Sequence, residues 1–405
     1  MKILIVRPHA SVLTSNSYNM QETGLAKAYI RAGHSADIVL YGGSMPDHVE
    51  EVEASHGALI RIYYLKGFGI AKNGFFFSLK RMLDDYDIIQ VHEYDQITSW
   101  LCYTSPRLRG KVIIYHGPYY CDFNRGYNLR CKVFDNIFLR MKKGSNIPCF
   151  VKSNASVKFL KSKGFKSVKA VGVGLDTDAW NDCFDLVSDK GINGDNKPES
   201  EAGPFTFIYI GKLEPRRNIL FLLDVVDRLL DAHDDINFIM IGDGEEDYKA
   251  KCLLKASKWI DAGRIKYIPR VSQQEIPSYY KEADCMLFPS IYEIFGMVLM
   301  EAIYFGVPVI TSDNGGADML FEDGINGIVI PMDESPEASG DSSAKINKLQ
   351  TDYQGFDIDT WVDAATRIYR DRELRDRIKE HLYSDRDSLS WDIVAGKILD
   401  GITGN

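Results

Sequence analysis

Residues Cys285–Met319, CMLFPSIYEIFGMVLMEAIYFGVPVITSDNGGADM, constrain the fold more than any other stretch of the chain. The apolar run Cys285–Phe288, stopped by Pro289 and Ser290, reads as a buried strand followed by a turn. A helical pattern then runs from Met297 to about Tyr304, and a second buried strand, Val307–Thr311, ends in the glycine-containing loop Asp313–Gly316. Strand, loop, helix and strand in that order are the unit of a parallel α/β sheet. Ligands of such sheets sit beyond the carboxyl ends of strands, where loops meet helix N-termini. There Gly296 permits close backbone approach, and the amides of Gly296, Met297 and Val298 are first-turn donors carrying partial positive charge. A diphosphate suits that position. Glu293 and Glu301 flank it and can accept hydrogen bonds from hydroxyls on either side, as the two sugars of a nucleotide-sugar would require.

The run Glu293-Ile-Phe-Gly-Met-Val-Leu-Met-Glu301-Ala, with Gly306-Val-Pro-Val, Gly315-Gly316 and Asn326-Gly327 after it, resembles the signature of retaining GT-B glycosyltransferases of family 4. The resemblance implies that Glu301 grips the ribose, and that Glu293 with the Phe295–Val298 backbone holds the transferred sugar and the phosphates. It extends over nearly the whole chain and is densest from Lys212 to Gly327. Gly211-Lys212-Leu-Glu-Pro-Arg216-Arg217-Asn218 follows the strand Thr206–Ile210. Cations there are placed to neutralise a leaving diphosphate. The family has Arg then Lys at these positions; here Lys212 and Arg217 keep both charges in exchanged order, and Arg216 competes for the second role. By the same resemblance Gly242-Asp-Gly244 lies near the base, Arg270-Val271 presents backbone to the nucleobase edge, and His116, at the end of the strand Lys111–His116, faces the donor sugar. His92, ending the strand Asp87–Val91, reads instead as a packed strand-end histidine. The Gly-Gly pair common in the family after the first strand is absent from Pro8–Asn19, so no role is assigned in that loop.

A chain of 405 residues exceeds one ordinary core and points to two domains. Charge divides them: residues 1–180 carry a net +9 and residues 181–405 a net −18. No apolar run is long enough to span a membrane, and MKILIVRP reads as a strand without a signal peptide's h-region. Seven unpaired-looking cysteines suit a reduced, cytoplasmic chain. With pI near 5.5 and no recognition motif, nucleic acid is not an expected partner. The basic first half suits an anionic acceptor or the inner face of an anionic membrane. Two stretches carry that idea: Lys66–Met82, which interleaves Lys66, Lys72, Lys80 and Arg81 with Phe68, Phe75, Phe76 and Phe77, and Tyr127–Lys143, with Leu129, Val133, Ile137 and Met141 at helical spacing beside basic residues. Each either lies in a membrane interface plane or is a core-facing helix with a charged outer face.

Further strands are expected at Lys2–Arg7, Ala36–Tyr41, Leu59–Leu65, Ile147–Val151, Val168–Val171, Asn237–Ile241, Arg264–Ile268 and Gly327–Ile330. Helices are expected at Gln21–Ala32 and Leu220–Leu230. Gly172–Asp178 resembles the family's hinge; its Asp176-Thr-Asp178 reads as a polar turn, not a metal pair. Residues 183–204 read as a linker and Met332–Leu349 as a polar surface loop. The fold expected is α/β of GT-B type: two Rossmann-like doubly wound domains facing a central cleft, at about residues 1–182 and 205–385, with a C-terminal helix of about 386–405 crossing back. The expected activity is retaining, metal-independent transfer of a hexose-type sugar from a nucleotide-diphosphate sugar to a saccharide or lipid-linked acceptor, without cofactor. A nucleotide-sugar epimerase, a sugar phosphorylase and a non-catalytic nucleotide-sugar-binding protein share the architecture.

Overall fold

The computed structural model describes residues 1–14, 20–54, 57–141, 146–176, 180, 203–332 and 356–404. Most of the expected linker 183–204, nearly all of the polar loop Met332–Leu349, and Thr177 and Asp178 lie outside the described residues. The chain divides into two compact units: Met1–Asp176 with Ser388–Asn405, and Thr177–Asp387.

The first unit holds an eight-stranded sheet in the order Val168–Ala170, Cys149–Val151, Val112–His116, Ile88–His92, Lys2–Val6, Ser35–Tyr41, Leu59–Leu65, His48–Glu53. All pairings are parallel except the last, an antiparallel edge. Strands such as Lys2–Val6 are nearly continuous apolar runs because both faces are covered, as parallel sheets require. Helix Gln21–Arg31 buries Leu25, Ala28 and Tyr29 and stops at Gly33, whose φ is 82°. The C-terminal helix Trp391–Thr403 packs on it, with Arg31 Nε 2.8 Å from Asp392 Oδ1. Trp391 lies so close to the backbone of Gly24 and Gly174 that a Cβ at either would fall within 2.5 Å of the indole.

The first basic aromatic stretch is not a core-facing helix, and the second is one that turns a different face to the core. Lys66–Met82 begins with a hairpin, Gly67–Ile70 against Asn73–Phe76, whose turn residues Ala71 and Lys72 have φ of 48° and 67°. A left-handed pair is what a two-residue hairpin loop demands, and it excludes a continuous helix. In the second stretch the helix Arg125–Phe134 does form, but it buries Tyr127, Cys131 and Phe134. Leu129, Val133, Ile137 and Met141 are instead exposed, so the apolar stripe read from the sequence faces outward.

The second unit holds a six-stranded, wholly parallel sheet in the order Ile265–Ile268, Ile236–Ile241, Phe205–Ile210, Cys285–Phe288, Val309–Ser312, Ile328–Ile330. Helix Ile219–Ala232 covers one face with Leu222, Val225, Val226 and Leu229. In each sheet the chain winds outward in both directions from a central pair of strands, which leaves a crevice at their carboxyl ends. In the first unit that pair is Lys2–Val6 and Ile88–His92; in the second it is Phe205–Ile210 and Cys285–Phe288.

Candidate functional site

At the switch point of the second unit, the loops after Phe205–Ile210 and Cys285–Phe288 bring distant charges together. Glu293 is 5% exposed, and a buried carboxylate needs cations and donors. It has both: Oε1 lies 3.0 Å from Arg216 Nη1, pairs with Arg217 Nη1, and accepts from Ser290 Oγ at 2.8 Å. Arg216 also donates to the Tyr292 carbonyl at 2.8 Å and pairs with Glu214 at 2.6 Å. Arg217 lies over the Phe288 ring, 5.1 Å from its centroid. Both arginines thus share the position for which the sequence offered a choice. Lys212 is exposed, on a loop held by the Tyr209 hydroxyl, which donates to the Lys212 carbonyl at 2.9 Å.

Gly296 starts the helix Met297–Tyr304 with φ 80°, a conformation costly for a residue with a Cβ. This turns the chain so that the Met297 and Val298 amides open the helix, with Phe295 buried behind them. Glu301 lies in the second turn, fully buried, and its Oε2 accepts from the Tyr280 hydroxyl at 3.1 Å. Neither Tyr280 nor Ser290 carried a sequence signal, because a single hydroxyl far along the chain is common. Asn314 completes the loop: its Oδ1 accepts from the Gly316 and Ala317 amides at 3.0 and 3.1 Å, while Nδ2 donates to the Ser290 carbonyl at 3.2 Å.

On the other side of the switch point, Gly211 and Gly242 meet backbone to backbone; a Cβ on Gly242 would sit 1.8 Å from the Gly211 oxygen. Arg270 is mostly exposed, 3.3 Å from Asp243 Oδ2, and Val271 follows it on the same loop. The structure therefore gathers Glu293, Arg216, Arg217 and Ser290 into direct contact. Gly211, Lys212, Gly242, Arg270 and Val271 belong to neighbouring strand-end loops of the same sheet edge.

The first unit's switch point is a pocket of about 350 Å³, lined by Pro8, Leu13 and Met20 as well as by Arg7, His9, Glu22, His92, Glu93, Gln96 and Lys152. Glu22 is buried between Arg7 Nε at 3.3 Å and His92 Nδ1 at 3.1 Å. Burial pushes its carboxyl up, but the hydrogen bond and charge of His92 with the charge of Arg7 outweigh it, leaving the pKa at about 2. His92 is thus part of a built network reaching back through Gln90 to Tyr29, more than a packed strand end. His116 is fully buried and does not line the pocket; its Nδ1 lies 2.5 Å from Glu93 Oε2 and its ring stacks on Phe159. Glu93, with φ 62°, stands between His116 and the pocket. His116, Glu93 and Asp95 could in principle hold a cation, since one donor atom of each lies within 4.8 Å of the others. Asp95 already has the Arg130 guanidinium at 3.7 Å.

Residues 193–356 match the family model described as "Glycosyl transferases group 1". Among curated relatives, the alpha-D-kanosaminyltransferase of Streptomyces kanamyceticus is 27% identical over 198 residues, 48% of this chain and 44% of that protein. The phosphatidyl-myo-inositol mannosyltransferase of Mycobacterium leprae is 26% identical over 196 residues, covering 48% and 45%. The matched region spans less than half the length of either relative. Among solved structures, Anabaena HepE in complex with UDP-glucose superposes over 100% of both chains with a TM-score of 0.64 at 15% identity. That likeness shows the fold, GT-B, with its two Rossmann-like units. Over residues 193–356 the chain is similar to the group 1 glycosyltransferases.

Proposed function

We propose that the protein transfers a sugar from a nucleotide-diphosphate donor held on the second unit to an acceptor held on the first. One observation carries the reading: buried Glu293 with its two arginines lies at the switch point where Gly296 opens a helix toward the same edge. A diphosphate there meets amides and guanidiniums together, and these stabilise charge as it develops on a leaving group. Glu301 positions the ribose, and Glu293 the transferred hexose. Lys212, Arg216, Arg217 and the helix N-terminus carry the electrostatic work, so the reaction needs no metal. Transfer proceeds with retention by front-face displacement: the glycosidic bond to phosphate breaks as the acceptor oxygen attacks from the same face. The departing phosphate oxygen takes the acceptor's proton.

The acceptor is a saccharide or lipid-linked saccharide, in the service of cell-surface polysaccharide or glycolipid synthesis. Two observations favour a lipid-borne acceptor. One relative is named for phosphatidyl-myo-inositol. On the first unit, Leu129, Val133, Ile137 and Met141 form an exposed stripe beside Arg130, Lys132 and Arg140. Such a face lies in the headgroup region of an anionic membrane, and no helix among the described residues is long and apolar enough to cross one.

Thermal unfolding with UDP, ADP, GDP and their sugar conjugates tests the donor assignment, since a ligand that binds only the folded state raises its melting temperature. A rise with one nucleotide family, followed by release of that nucleoside diphosphate when acceptor is added, is expected. Stabilisation by none of them contradicts it.

A further inference from the structure

Glu301 is fully buried in the helix Met297–Tyr304, and Tyr280 reaches it from the helix Ile276–Glu282. The Tyr280 hydroxyl lies 3.1 Å from Glu301 Oε2 and 3.1 Å from the Val298 carbonyl. A phenol has one proton to give, and an ionised carboxylate draws it more strongly than a neutral carbonyl. Val298 also stands in the first turn of its helix, the position of a carbonyl that accepts within the helix. The hydroxyl therefore ties the Glu301 carboxylate to the turn whose amides open toward the sheet edge.

The phenol is itself held. Tyr280 is 1% exposed, and its ring stacks on Phe305 with centroids 5.0 Å apart and planes 20° apart. Phe305 closes the same helix, its amide donating to the Glu301 carbonyl at 2.9 Å. Tyr280 thus touches the helix at both ends, by hydroxyl at the first turn and by ring at the last. Glu293, by contrast, is gripped by Arg216 and Arg217, which offset its charge. A tyrosine orients a carboxylate without cancelling its charge, so Glu301 keeps its strength as an acceptor. A carboxylate that meets two neighbouring hydroxyls together needs a fixed plane, and fixing it before the ligand arrives removes rotamer entropy from the cost of binding.

We propose that Tyr280 is a positioning residue for ribose recognition: its hydroxyl fixes the Glu301 carboxylate in the plane that accepts from the two neighbouring hydroxyls of a nucleoside diphosphate. The inference rests on the assignment of Glu301 to the ribose. Calorimetry on the full chain with UDP, ADP and GDP, each beside its 2′,3′-dideoxy counterpart, tests it. The wild-type protein binds at least one nucleoside diphosphate more tightly than its dideoxy counterpart by about tenfold or more, as hydrogen bonds to a charged group require. Tyr280→Phe keeps the ring on Phe305 and removes only the hydroxyl. It narrows that ratio to about threefold or less and leaves the affinity for the dideoxy compound within about twofold.

In Glu301→Ala, where the ratio is already lost, adding Tyr280→Phe changes it no further, because the hydroxyl acts through the carboxylate. A phenol that merely packs the site weakens both ligands alike when it is altered and leaves the ratio at its wild-type value. That result, with the wild-type ratio at tenfold or more, overturns the proposal and leaves the ribose assignment of Glu301 standing. A wild-type protein that binds a nucleoside diphosphate and its dideoxy counterpart equally refutes the ribose assignment, and the proposal falls with it. Binding of none of the three nucleoside diphosphates overturns the donor assignment and the proposal together. Ligand-free melting curves of the variants, run on the same samples, show that each is folded.

Discussion

The two sheets place their switch points at the same topological position but furnish them with opposite chemistry. In the second unit the carboxylates of buried Glu293 and of Glu214 share Arg216 and Arg217 beside a helix opening. In the first, Glu22 lies between His92 and Arg7 and Glu93 beside His116, around a pocket that Lys152 also lines. On the proposed function the second edge suits a ligand with concentrated negative charge, whereas the first interleaves acidic and basic side chains around its pocket. The difference shows that the doubly wound sheet supplies the place and the loops supply the selectivity.

The largest effect is expected where the second site is broken from its cationic side. Replacing Arg216 and Arg217 together with Ala leaves Glu293 buried without its cations, and should lower stability by about 3–5 kcal/mol in denaturant unfolding. It should also abolish the melting shift with nucleotide. Glu301→Ala and Lys212→Ala should each slow transfer by about 10²-fold, the cost of one preorganised group, measured as nucleoside diphosphate release. Near-normal turnover in either variant removes that residue from the site.

The first unit makes a prediction of opposite pH sign for neighbouring groups. Glu22 and Glu93, at about 2 in the fold, are depressed; their stabilisation is present above the usual value of 4.5 and is lost as pH falls toward 2. Asp95 is raised to about 6 by burial and by Glu93, against the opposing charges of His116 and Arg130, and its two oxygens have no hydrogen-bond partner among the described residues. Its contribution is full below the usual 3.8 and is lost as pH rises through about 6. Asp95→Asn should therefore raise stability at pH 7, by on the order of 1–3 kcal/mol, and leave the acid limb below pH 4.5 in place. A variant less stable at pH 7 than the wild type would contradict this.

The smallest stability change belongs to the exposed stripe. Leu129→Ser with Val133→Ser should alter unfolding by no more than about 0.5 kcal/mol, as surface changes do. The same pair should markedly reduce sedimentation with anionic vesicles at low salt. Equal sedimentation of both proteins would separate the stripe from any membrane role.

Much of this was legible before any coordinates, for reasons tied to particular residues. Strands such as Ile236–Ile241 and Cys285–Phe288 are buried on both faces and announce themselves as apolar runs. The antiparallel edge His48–Glu53, HVEEVE, buries neither face fully and carries no such period, so it passed unread. The helix pattern at Leu129 to Met141 was read correctly as a stripe, but periodicity does not say which face the sheet will cover. In the candidate site, Glu293 and Glu301 stood out by their spacing around Gly296. The joint grip of Arg216 and Arg217 was not visible, because it depends on strand order, which brings residue 217 beside residue 293. Glu93 escaped notice for the same reason: its left-handed backbone and its contact with His116 exist only once the strands Ile88–His92 and Val112–His116 are paired.

Hydrogen–deuterium exchange with and without the stabilising nucleoside diphosphate addresses the central claim most directly. Bound at the second switch point, the ligand should slow exchange at the Gly296, Met297 and Val298 amides, which lie at the start of the helix and lack carbonyl partners within it. Exchange of the Glu93–Gln96 segment should be unaffected. Protection confined to the first unit, or none at Gly296–Val298 under saturating nucleotide, would contradict the assignment.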